Sequence, residues 1–179
     1  MVSKTDNIIF RGLNIIAWLI FVGLCIEAGG LLVNFVFSQY KPEMVKNLYQ
    51  KLDLSDLYNY SRNAFFGAYA SILTISLLKA MMFYVVIRLM LRMDLSNPFS
   101  NYVSKQILLI SYFTLAIGLI SYIARQSAQQ LAKNGVAVEN LDPFWTDSRA
   151  FILMGAVVYI IAAIFKRGVE IQHENELTV

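Results

Sequence analysis

A chain of 179 residues has the length of one ordinary domain. Its 58% hydrophobic and 15% charged residues, with a mean hydropathy of +0.56, do not describe a soluble one. The apolar excess falls in runs of about 20 residues, the length that crosses a bilayer, which argues against a soluble enzyme or a disordered tail, and the net charge of +3 is too small and too scattered for direct nucleic-acid binding.

The expected fold is all-α: a polytopic membrane protein with four transmembrane helices packed as a bundle, over about 13–37, 63–91, 98–130 and 143–167, followed by a short acidic tail, 168–179. The first apolar run, Ile15 to Phe37, carries one ionisable residue, Glu27. It is long and lacks a small-residue cleavage pattern, so it reads as a retained span and not as a signal peptide. After Pro42, residues Met44, Val45, Leu48, Tyr49 and Leu52 recur at helical spacing. They predict a short amphipathic helix that caps the bundle or lies on the bilayer, with capping the preferred reading.

The second run, Ala64 to Ile87, is interrupted only by Lys79, and Asp53 or Ser55 offers a cap for an early start. The third, Ile107 to Ala124, is uncharged. Asn97-Pro98 predicts its start as an N-cap and a first-turn proline, and Gly135 predicts its end, beyond the membrane. The fourth, Ala150 to Phe165, is short, but a start near Asp142-Pro143 gives a full crossing, with Arg149 snorkelling. Continuous apolar runs without alternation exclude membrane strands.

Four spans place both termini on one side. Apart from Lys79, seven Lys and Arg residues fall on each side. The terminal-side segments are slightly shorter, so their charge density modestly favours cytoplasmic termini.

Glu27 and Lys79 both fall near mid-depth if each span is centred in the membrane. A lone charge there costs at least about 2.5 kcal/mol, which a facing pair would largely remove. The expectation is an intramembrane ion pair, with Gly29 and Gly30 admitting a close neighbour. It reads either as a proton-coupled or ligand site, or as a buried pair that fixes the meeting faces of helices one and two. The second is preferred, because transport needs more polar residues along a path. On span three, Ser111, Thr114, Gly118, Ser121 and Arg125 share one helix face, and Gly155 offers a small surface on span four. Tight helix packing is the plainer reading of these residues and a polar channel the sharper one.

Catalysis has little to work with. One cysteine, Cys25, and one histidine, His173, lie in span one and in the tail, so they build neither a dyad nor a metal cluster. No glycine-rich phosphate loop is present. The expectation is a protein that is not an enzyme and has no cofactor and no metal.

The ending Phe165-Lys166-Arg167-Gly168-Val169-Glu170-Ile171-Gln172, through Glu174-Asn175-Glu176-Leu177-Thr178-Val179, resembles the closing signature of the bacterial membrane family called domain of unknown function 2975. Asn97-Pro98-Phe99 is similar to that family's Pro-Phe element after its second span. Ile171 and Glu176 stand where Leu and Asp are more usual, and the close match covers about one-tenth of the chain. The resemblance implies a four-helix bacterial inner-membrane protein with a cytoplasmic C-terminus. Members are often encoded beside a small helix-turn-helix transcription regulator, which implies a membrane partner that holds or modulates it. No catalytic residue carries over.

The function expected is therefore a sensory or regulatory protein in the bilayer. It binds a small helix-turn-helix regulator through Asn97, Pro98, Phe99, Arg167, Glu170, Glu174 and Glu176, with acidic side chains competing with DNA phosphates for the regulator's basic face. A small proton-coupled transporter or pore using Glu27 and Lys79, and a non-catalytic scaffold, are the alternatives. A small ligand or a homo-oligomer is compatible with each.

Overall fold

The computed structural model of the chain describes residues 4–46, 48–49, 52–94, 98–145 and 147–176. The chain is 89% helical, and no strand occurs among the described residues. The elements are α1 (Lys4–Tyr40), a 3-10 turn (Pro42–Lys46), α2 (Ser55–Tyr60), α3 (Arg62–Arg92), α4 (Asn101–Lys133), a 3-10 turn (Glu139–Leu141), α5 (Asp142–Trp145) and α6 (Ser148–Glu176). Four helical stretches are long and apolar enough to cross a membrane: 8–40, 62–92, 101–133 and 142–174. The protein is a membrane protein of four packed spans.

Each helix ends where backbone groups find another partner. Ser61 is extended and its side chain accepts from the Ala64 N–H, which opens α3. Ser100 does the same for α4 through the Val103 N–H. Gly135, at φ +82, closes α4: its N–H donates to the Ala132 carbonyl and the Val136 N–H to that of Leu131. That double bond pattern is a Schellman motif, and it needs the left-handed glycine that the sequence supplies.

Three boundaries differ from the sequence reading. The third helix starts at Asn101, because Ser100 takes the capping role expected of Asn97, which lies outside the described residues. Asp53 accepts from both the Ser55 N–H and the Ser55 hydroxyl. That turn opens the separate short helix α2, and not the span. Asp142-Pro143 opens the fourth apolar stretch, but as the separate short helix α5; the long helix α6 follows from Ser148 and runs into the acidic tail as far as Glu176.

The long helices pack as sequence neighbours, α1 on α3, α3 on α4 and α4 on α6, with α4 and α6 in the most extensive contact. The outer helices α1 and α6 barely touch. The continuous apolar core lies at the loop end, where Leu31, Val45, Leu52, Leu57, Phe65 and Trp145 are all buried. The segment after Pro42 caps the bundle, but as a 3-10 turn and a Leu48–Leu52 bridge in place of the expected amphipathic helix. The Leu48 N–H donates to the Leu52 carbonyl and the Leu54 N–H to that of Val45, bonds that fold the chain back on itself.

Candidate functional site

The register of α1 on α3 decides where the two intramembrane charges fall. The Tyr69 hydroxyl donates to the Leu31 carbonyl at 2.9 Å. The Phe35 ring stands 6.1 Å from Phe66 and 5.3 Å from Tyr69. Farther along the same antiparallel pair, the Phe21 ring of α1 stands 6.2 Å from Tyr84 of α3. Among the described residues no ion pair joins Glu27 to Lys79. Nor does a helix use the two glycines beside Glu27. A Cβ on Gly30 would fall 2.5 Å from the Tyr49 ring of the cap, whereas Gly29 faces open space.

Lys79 turns toward α6. Its Nζ lies 5.9 Å from the centroid of the Phe151 ring, within cation–π range. It shares a crevice of about 20 Å³ with Ser121, Trp145, Asp147, Ser148 and Phe151. Trp145 and Ser148 are 2% and 1% exposed, yet Trp145 Nε1 and Ser148 Oγ have no hydrogen-bond partner among the described residues. The crevice sits where α6 begins, so the first N–H groups of that helix, which lack acceptors within it, are close by.

Trp145 also walls a second, larger space. A groove of about 450 Å³ runs between α3 and α4 at the loop end, floored by Ala64, Gly67 and Ala68 of α3 and Ala124, Ser127 and Ala128 of α4. Small side chains at helical spacing on both walls keep it open. One indole thus separates a small polar crevice from an apolar groove large enough for a small ligand.

The polar stripe on α4 lies inside the bundle. Ser111, Thr114 and Ser121 are 0%, 3% and 2% exposed, and Gly118 is buried. Their hydroxyls do little bonding between helices. Thr114 donates back to the Ile110 carbonyl at 2.7 Å and lies 3.3 Å from Met82 Sδ, while Ser111 Oγ has no partner among the described residues. Contact is carried by the glycines. A Cβ on Gly118 would lie 2.7 Å from Ile152, and one on Gly155 would lie 2.7 Å from Leu115.

At the terminal end, Phe99 packs on the tail. Its ring centroid stands 5.2 Å from that of Phe165, and a Cβ on Gly168 would fall 2.7 Å from it. Arg167 and Glu170 form an exposed i,i+3 ion pair at 2.9 Å. Pro98 is half-buried, Glu174 lies on the same helix face as Glu170, and the Glu176 side chain lies outside the described residues. The Phe99–Gly168 contact was not legible in the sequence, although a lone glycine inside a tail of good helix formers is the signal that marks it.

The family described as protein of unknown function (DUF2975) matches residues 49–179. The chain belongs to that family. The DUF2975 match contains Lys79, the Trp145–Ser148 crevice and the tail, and it leaves out α1 with Glu27. No curated protein and no solved structure matches the chain.

Proposed function

We propose that this protein is a regulatory protein of the bacterial inner membrane, with both termini in the cytoplasm, and that it binds a small helix-turn-helix transcription regulator through its tail. The observation that carries this reading is the continuity of α6. One uninterrupted helix runs from the Lys79 crevice to Glu176, and α4 with the segment that leads into it grips it from Gly118 at one end to Phe99 at the other. A helix held over that length moves as a rod, so a change at the loop end reaches the tail. The groove beside Trp145 is the place for a small ligand or a lipid tail. The tail presents Glu170 and Glu174 on one face, a surface suited to a basic partner. The bundle itself performs no catalysis in this reading.

The test is co-purification with the regulator from membranes of the native host. Deleting the residues after Gly168 is expected to abolish it, and Glu170→Lys with Glu174→Lys to weaken it. Unchanged recovery with a well-inserted, truncated protein refutes the reading.

A further inference from the structure

We infer that the crevice at the start of α6 is a binding site for a small monovalent anion of halide size, held by Lys79, Trp145 and Ser148. The inference is independent of the regulatory reading.

The first support is a count of donors. Lys79 offers three N–H donors and no acceptor, Trp145 one donor and no acceptor, and the hydroxyls of Ser148 and Ser121 one donor each. Trp145 Nε1 and Ser148 Oγ are buried and satisfied by no described residue. Leaving a buried donor unmet costs about 1–3 kcal/mol, and here two such donors line a single space. What fits is an acceptor that takes several donors at once.

The second support is charge. Lys79 lies inside the apolar stretch of its span, where its register partner on α4, through the Thr114–Met82 contact, is close to Ile117. It is not paired with Glu27. The start of α6 adds the positive end of a 29-residue helix, roughly half an elementary charge. The one carboxylate in the lining, Asp147, is exposed and forms no described ion pair with Lys79. A bound water would meet the donors but not the charge; an anion meets both.

The third support is size. About 20 Å³ accommodates one small species, since a single water-sized probe needs about 10–15 Å³. A phosphate or a lipid headgroup is too large to enter.

Trp145 reports on its own site. The chain has two tryptophans, and Trp18 is exposed on α1, so Trp18→Phe leaves Trp145 as the sole indole. In detergent-solubilised Trp18→Phe protein, chloride and bromide titrated against isethionate at constant ionic strength are expected to change Trp145 emission along a saturating curve. Lys79→Met is expected to abolish saturation, and Ser148→Ala to weaken apparent affinity by about tenfold, the equivalent of one lost hydrogen bond to a charged group. Asp147→Asn, an exposed change that spares the packing, is expected to tighten binding by removing a like charge. A linear, non-saturating response in both the parent and Asp147→Asn overturns the proposal and leaves a water or a Lys79–Asp147 pair in its place. Saturation that survives Lys79→Met in folded protein overturns it as well.

Discussion

Gly118 on α4 and Gly155 on α6 form a reciprocal contact. The site where Gly118 lacks a Cβ is filled by Ile152 and the Ser148 carbonyl of α6, and the site where Gly155 lacks one is filled by Leu115 of α4. Each helix therefore lends a side chain to the other's gap, and the two backbones approach closely without needing a polar bond. In lipid, where apolar burial drives little association, close packing of this kind is the main attraction between helices. Gly118→Leu and Gly155→Leu each force the helices apart and are expected to destabilise by about 1–3 kcal/mol, the usual cost of overpacking. Gly29→Leu, which meets open space, is expected to stay within about 0.5 kcal/mol of the parent. Thermal unfolding in detergent measures all three, and equal losses at Gly29 and Gly118 would remove the packing argument.

Glu27 and Lys79 are expected to behave as independent residues. A facing ion pair gives a coupling energy, whereas two charged residues with no ion pair between them do not. The double-mutant cycle of Glu27→Gln and Lys79→Met is therefore expected to close within about 0.3–0.5 kcal/mol. A coupling of 1 kcal/mol or more, read from unfolding of the four proteins, restores the pair.

Tyr69→Phe isolates the bond that sets the register of α1 on α3. The ring stays packed against Phe35 and Phe65, so only the hydroxyl bond to Leu31 is lost. The expected cost is about 0.5–1.5 kcal/mol, near the lower end if the site behaves like other interhelical bonds in membranes. Tyr69→Ala also empties core volume at the cap and is expected to cost several-fold more.

Asp53 gives the cap a dependence on acid. The hydroxyl of Ser55, and then its N–H, bonds the carboxylate and holds its pKa below the usual value. A carboxyl group with a folded pKa below its unfolded one stabilises the fold above the unfolded value, near 3.9, and that contribution is lost as pH falls through the folded value. Ser55→Ala is expected to return the Asp53 titration, followed by carboxyl NMR, upward toward the ordinary range. No upward movement would show that the hydroxyl bond is not the cause.

The four spans were legible because bilayer crossings write themselves as uncharged runs, and Gly135 was legible because a helix end in the left-handed region has one preferred residue. The register between spans was not. Ile15, Leu19, Val22 and Ile26 of α1 all face outward, and a lipid-facing residue looks in sequence like one that faces a helix. The same ambiguity hid the cap: Val45, Leu48 and Leu52 suit an amphipathic helix by spacing, yet they fill a core from a 3-10 turn and a bridge because both arrangements bury the same side chains. The crevice at Lys79 lies where α5 gives way to α6, and the strong start signal at Asp142-Pro143 concealed that junction.

Phe99 ties the start of the tail to the bundle. Its ring lies over Gly168 and beside Phe165, so it bridges the start of α4 and the stretch of α6 that leads into the tail. Phe99→Ala removes that bridge while leaving the Ser100 cap and the membrane spans intact. The Arg167–Glu170 pair adds little to that anchoring, since both side chains are solvent-exposed and their attraction is screened. Cleavage after Glu170 and Glu174 by a glutamate-specific protease, followed in intact protein, is therefore expected to accelerate several-fold in Phe99→Ala. Gly168→Val is expected to act in the same direction, because its side chain claims the place of the Phe99 ring. If both variants are cut at the parent rate, the tail helix is held by something other than this contact, and the rod-like coupling from α4 to the tail loses its terminal anchor.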